Sequence, residues 1–212
     1  MQPGIYKTVL RPDDAHVLER LPRSIRDGFY LAGGTGLALR IGHRFSFDLD
    51  FFSEHPFRNE SLRRDLASIG KLEIFQDSSG TLEGMLQKTR LTFLHDPNPA
   101  IGPESDFGGI RLASLADMAA MKLSAVSSRG SRKDFIDLFF VKEAMEWPDI
   151  VEAFKKRYRG SGFNLFHVIK SLGWFDDAEK EPMPRMIRDC PWEGVKAYFW
   201  ERQEEMAKRE AL

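Results

Sequence analysis

Two aspartates, Asp48 and Asp50, stand one residue apart in the run Ser46-Phe47-Asp48-Leu49-Asp50-Phe51-Phe52. Apolar and acidic residues alternate here with the period of a strand, which puts both carboxylates on one face and turns Leu49 and Phe51 to the other. Carboxylates held side by side raise one another's pKa unless a cation lies between them. Apolar neighbours sharpen the conflict, because an unpaired buried charge is costly. A divalent metal resolves it, since Mg²⁺ is ordinarily held by one or two carboxylates and completed by substrate phosphates.

Just upstream, Gly33-Gly34-Thr35 precedes a short apolar run, Leu37 to Ile41. Glycines let backbone N–H groups come close to a phosphate, and the helix that follows offers its positive end. Thr35 adds a hydroxyl donor, and Ser46 shares a strand face with Asp48. A glycine turn alone is an ordinary tight turn, and an Asp-x-Asp strand alone is a solvated face or an ion pair. The two together, separated by one short helix, point to a site for phosphate and metal.

A second candidate is Lys122, the only basic residue in the otherwise apolar stretch 112–126. A lysine on a core helix either snorkels to the surface or holds an anionic partner. Other residues tempt less. His43 and His55 flank the aspartates without a zinc-site spacing, and His43 is expected to organise the turn before the strand. Ser46 lacks the glycine elbow of a serine nucleophile, so acyl transfer is set aside.

Gly33-Gly34-Thr35, Leu39-Arg40, His43-Arg44 and Ser46-x-Asp48-Leu49-Asp50-Phe51 resemble the nucleotidyltransferase signature, and more narrowly the AbiEii/AbiGii-type abortive-infection toxins. Lys122, Ala125, Arg129, Lys133-Asp134 and Asp137-Leu138 continue that resemblance, which spans roughly residues 29–141. It implies a metal at Asp48 and Asp50, with Gly33, Gly34, Thr35, Arg44, Ser46 and Arg129 around the nucleotide. Lys122 would meet the triphosphate, and Asp137 would complete the acidic cluster or hold Lys122 in place. The implied activity is Mg²⁺-dependent transfer of a nucleotidyl group from NTP to an RNA such as tRNA, or to a protein. The implied setting is the toxin of a toxin–antitoxin pair, with a cognate antitoxin as partner. The alternatives are a transferase acting on a small molecule such as an aminoglycoside, and a catalytically silent nucleotide- or partner-binding protein. The wider fold usually adds a third carboxylate on a later strand; Glu73, Glu83 and Asp96 are the candidates, none clearly placed.

These residues must be positioned by elements that the pattern outlines. A helix is expected over residues 13–27, strands over 29–31 and 47–52, and an amphipathic helix over 59–69. Three strands follow at 72–75, 82–87 and 91–95, then a Pro- and Gly-rich loop over 96–109 and a short strand at 110–112. From Ser114 onward the chain reads as helical. Ser114 with Asp117, and Ser131 with Asp134, have the spacing of a capping box, and Pro148 suits the first turn of a helix. Residues 192–207 read as the last helix. Trp147, Trp174, Trp192 and Trp200 are expected to pack as core or helix-docking residues. The expected fold is therefore α+β: a nucleotidyltransferase-like mixed sheet with flanking helices over 1–112, then a helical half over 113–212 that contributes Lys122 and Asp137.

The 212 residues carry 31 basic and 32 acidic side chains, a net charge of −1. That balance supplies no global pull toward nucleic acid, so any such contact must be local. A single cysteine, Cys190, rules out an internal disulfide. The N-terminal residues lack a signal-peptide core, and no stretch approaches a membrane span. A cytoplasmic protein, with no membrane partner, is expected.

Overall fold

The computed structural model describes residues 4–210. It is α+β, as the pattern predicts, with a seven-stranded mixed sheet and a helical second half. Its first helical stretch is two helices, α1 (Pro12–Arg20) and α2 (Arg23–Gly28). Pro22 divides them, because the residue before a proline is pushed out of the helical region; Leu21 has ψ 131°.

Strand β1 (Tyr30–Leu31) runs directly into α3 (Gly33–Ile41). That helix begins four residues before its apolar run, because Gly33 takes φ +61° and turns the chain at once from strand to helix. Gly42 closes it in the left-handed region. Next come β2 (Asp48–Ser53), α4 (Asn59–Ala67), β3 (Leu72–Ser78), β4 (Thr81–Leu86) and β5 (Thr89–His95). Within the expected loop lies a further strand, β6 (Ser105–Phe107), forming a hairpin with β7 (Ile110–Leu112). Its turn uses Gly108 and Gly109, both at positive φ.

The strand order is β3-β4-β5-β2-β1-β7-β6. β2 is central, antiparallel to β1 and parallel to β5, with Asp48 opposite Arg90 and Asp50 opposite Thr92. Leu49 and Phe51 point into a core shared with α1, α2 and α4, and Phe51 stacks on Phe93 with ring centroids 5.0 Å apart. Asp48, Asp50 and Phe52 face the other way.

The second half comprises α5 (Leu115–Ser128), α6 (Arg132–Val141), α7 (Trp147–Arg157), α8 (Leu165–Ser171), α9 (Asp176–Lys180) and α10 (Trp192–Glu210). These helices build a second core that takes in Tyr30, Ala32 and Leu37, so α3 is clasped between the two cores. The Ser114 hydroxyl caps α5 by accepting from Asp117 N at 3.0 Å. The Asp117 carboxylate accepts from the Ser114 hydroxyl, from Ile101 N and from Arg157, a fully buried arginine that also binds Asp96. The second expected capping box is absent: the Ser131 hydroxyl donates to Glu181 at 2.9 Å, and Asp134 turns elsewhere. Trp147 is buried, and Trp200, though 48% exposed, packs edge-on against Phe175 with centroids 5.5 Å apart; Trp174 is 57% exposed, and the expectation of packing fails for it.

Between α9 and α10 a strap over residues 181–191 returns to the sheet half. It lies along residues 43–45, with Phe45 N donating to Arg185 O at 2.9 Å and a bridge between Arg44 and Met186. Among the described residues no helix is long and apolar enough to cross a membrane.

Candidate active site

The outward face of β2, the start of α3, helices α5 and α6 and the strap enclose a cavity of about 860 Å³. Asp48 and Asp50 lie in its wall, half-buried, beside Gly33 and Gly34. A Cβ built on Gly33 would collide with the Asp50 carboxylate, and one on Gly34 would crowd Arg44 and Ser46. Ala32 N donates to Asp50 O at 3.0 Å, which pins the glycine turn to the acidic strand. The α3 N-terminus and the Asp50 carboxylate are thereby set against each other.

Among the described residues, neither Asp48 nor Asp50 forms a hydrogen bond or ion pair through its carboxylate. Burial pushes Asp50 above the usual carboxylate range, Lys122 opposes the shift, and Asp48 adds to it. The other buried acids nearby are all paired. Asp137 receives Arg44 in a fork, Nε to Oδ1 at 2.6 Å and a second guanidinium nitrogen to Oδ2 at 2.8 Å. His43 Nε2 donates to Asp137 at 2.7 Å, and Lys122 Nζ lies 2.6 Å from it. Asp134 is held by Lys122 at 2.9 Å and by Arg129 at 2.6 Å.

Electrostatics follow from these pairings. Burial alone would raise Asp137, but Lys122, Arg44 and His43 overcome it and hold the carboxyl well below its ordinary range. Asp134 is lowered too, burial again being outweighed by Lys122 and Arg129. Burial would strip the Lys122 proton, yet the two aspartates keep it charged and raise its pKa. Burial lowers His43, so its imidazole stays neutral, and Nδ1 is left without a partner.

Gly33, Gly34, Arg44, Ser46, Asp48, Asp50, Lys122 and Arg129 therefore all line one cavity. Thr35 does not. It is fully buried, and its hydroxyl donates to the Asp48 carbonyl, so it braces β2 and is not free to meet a phosphate. Asp137 is also fully buried and saturated with cations. Of its two expected roles it fills the second, holding Lys122 and Arg44, and it does not join the acidic pair. Asp134 is an ion-pair partner, not a capping acid.

The three candidates for a third carboxylate are also placed. Glu73 is exposed on β3. Asp96 is tied to Arg157 at 2.6 Å. Glu83 reaches the cavity wall in the same cross-strand row as Asp50 and Thr92, but Arg90 donates to it at 2.8 Å. Among the described residues no third His, Cys, Asp or Glu joins the pair in a metal-holding group. Two oxygen-bearing, unpaired acids beside a glycine turn suit a hard cation that phosphates complete; the donor set fits Mg²⁺.

Phe45, Pro184 and Arg185 also line the cavity, and nothing in the sequence pattern marked them. They arrive through pairing between segments some 140 residues apart, a signal that local periodicity does not contain.

A mixed sheet whose central strand presents an acidic pair to a glycine turn and a helix N-terminus is a nucleotidyltransferase-like fold. Comparison with known proteins agrees. Residues 16–93 match the family described as nucleotidyl transferase AbiEii toxin, type IV TA system. The Aquifex aeolicus (strain VF5) protein aq_aa25 is 35% identical over 207 residues, covering 94% of this chain and 95% of its own. JHP933 from Helicobacter pylori shares the fold with a TM-score of 0.57 at 16% identity, over 98% of this chain and 97% of that one. MenT4, a nucleotidyltransferase toxin from Mycobacterium tuberculosis H37Rv, does so at 0.53 and 17% identity, over 89% and 80%. The chain belongs to the AbiEii family of nucleotidyltransferase toxins of type IV toxin–antitoxin systems. It is a nucleotidyltransferase-family enzyme.

Proposed function

We propose that the protein transfers NMP from a Mg²⁺-bound NTP to an acceptor hydroxyl on RNA, with tRNA as the class to test first, and is countered by a cognate antitoxin. In that reaction the acceptor oxygen bonds to the α-phosphorus, the bond to the β-phosphate oxygen breaks, and pyrophosphate leaves. The carrying observation is the contrast between Asp48 and Asp50, which have no cationic partner, and the paired acids around them. A bound Mg²⁺ would supply the missing positive charge and polarise the phosphate. Asp48 and Asp50 would hold it. Gly33 and Gly34 leave room for phosphate oxygens against the α3 N-terminus, and Ser46, whose hydroxyl has no partner among the described residues, orients them. Lys122, fixed by Asp134 and Asp137, adds a preorganised positive potential beside the developing charge.

An RNA acceptor is supported by two exposed rings, Phe47 in the cavity wall and Phe75 beside the cavity-lining Arg90. Phe47 lies under Arg11 at 5.1 Å and Phe75 under Arg90 at 5.9 Å, the combination on which unpaired bases stack. Nucleotide supply for such a reaction is cytoplasmic.

Incubating the protein with each α-³²P NTP, Mg²⁺ and total bacterial RNA tests the reading. Label is expected in a discrete RNA band with the wild type and not with Asp48→Ala. Label in a small molecule or in protein would overturn the RNA acceptor; no label in any fraction would overturn the transferase reading of the site.

A further inference from the structure

Most cations that line the cavity are already committed. Arg44 grips Asp137, Arg90 grips Glu83, Arg129 grips Asp134, and Lys122 bridges Asp134 and Asp137. Moving Lys122 onto a phosphate would leave two buried carboxylates short of a partner, a large penalty in a dry network. Its charge is felt by the ligand, but two of its three N–H donors are held by the carboxylates.

Lys133 and Arg185 differ. Both line the same cavity, both are exposed, and among the described residues neither has a carboxylate partner. Lys133 sits in the first turn of α6, one turn before Asp137, close enough to Asp50 to favour its ionised form. Arg185 comes from the strap. Its carbonyl accepts from Phe45 N at 2.9 Å, Ile187 N donates to His43 O at 3.0 Å, and its guanidinium lies 4.4 Å from the Phe45 ring centroid. The backbone is therefore fixed, and the stacked guanidinium keeps its forked donors free for an anion.

Unpaired cations from two elements thus face the same space as the two unpaired acids. A nucleoside triphosphate with its metal satisfies both at once, the metal at the aspartates and the outer phosphates at the cations. We propose that Lys133 and Arg185 form the triphosphate-binding clamp, gripping the β- and γ-phosphates that leave as pyrophosphate. This rests on the nucleotidyltransferase reading and names the phosphate-recognition residues within it. The strap that carries Arg185 thereby becomes part of the nucleotide site.

Calorimetric binding of the α,β-methylene analogues of ATP, GTP, CTP and UTP with Mg²⁺ to the full chain tests this, beside the matching monophosphates. Lys133→Ala and Arg185→Ala should each weaken triphosphate binding about tenfold, the scale of one charge-assisted hydrogen bond. Monophosphate binding and Tm should stay at wild-type values, and Lys133→Arg should restore the triphosphate affinity. Unchanged triphosphate binding in the double variant would overturn the clamp, as would equal losses for mono- and triphosphate. A wild type that binds no analogue with Mg²⁺ would instead sink the nucleotidyltransferase reading, and the clamp with it.

Discussion

Arg44 grips both carboxylate oxygens of Asp137, at 2.6 and 2.8 Å, across a gap of 93 residues. The pair joins the segment leading into the acidic strand to the second helix of the helical half. Asp137 is fully buried and also receives His43 and Lys122. It acts as the knot that fixes one wall of the cavity, while Asp48 and Asp50, which face the cavity, stay unpaired among the described residues.

Cutting that knot should cost stability more than any change on the cavity floor. Asp137→Ala leaves Arg44 and Lys122 buried without their shared partner, a loss of roughly 3–5 kcal/mol. For a chain of this size that corresponds to a Tm lower by roughly 6–20 °C. Calorimetry or circular dichroism melts would show it; a Tm within a degree or two of wild type would contradict the assignment.

Asp50→Asn should do the opposite in the absence of metal. Burial and Asp48 raise the Asp50 pKa, so its ionised form is a burden to the metal-free fold near neutral pH. Removing the charge should raise Tm in EDTA and abolish any rise on adding Mg²⁺. In the wild type, Mg²⁺ at roughly a hundredfold its Kd should add about 2.7 kcal/mol. That gain should shrink as pH falls toward the raised Asp50 pKa, where the carboxylate takes up a proton that the metal must displace.

Acid stability should fall in two stages. His43 is kept neutral by burial while the unfolded chain protonates below about pH 6.5, so stability drops as pH falls through that value. Asp134 and Asp137 are depressed, so their contribution is complete above about pH 4 and is lost below it. Urea unfolding across pH should resolve both stages, and His43→Gln should remove the upper one alone.

Gly33→Ala should damage the site and the fold together. Its φ of +61° costs an L-residue about 1–2 kcal/mol, and its new methyl would displace the Asp50 carboxylate. Nucleotidyl transfer should fall by more than the stability loss explains. Activity at the wild-type level would show that the close approach of Gly33 to Asp50 is not needed.

How much of this was legible in the sequence depends on the range of each signal. Alternation through residues 46–52 set Asp48 and Asp50 on one face, because side-chain direction on a strand is a local property. The early start of α3 leaves no periodic signal, since Gly33 starts the helix before any apolar period shows. Thr35 was expected at phosphate and instead braces the Asp48 carbonyl. Ser131 and Asp134 had capping-box spacing, yet Lys122 and Arg129 outbid the helix end for the carboxylate. Arg185 carries no local signal, because the strap reaches the site through pairing with residues 43–45 that lie some 140 positions away.

The central claim is that Asp48 and Asp50 hold the metal of a metal–nucleotide complex. Titrating Mn²⁺ against the full chain with an α,β-methylene NTP, and reading free Mn²⁺ by electron paramagnetic resonance, tests it without reference to turnover. The account predicts nucleotide-dependent Mn²⁺ binding in the wild type, lost in Asp48→Asn and Asp50→Asn while both variants remain folded. Mn²⁺ bound as tightly by either variant would place the metal elsewhere and contradict the account.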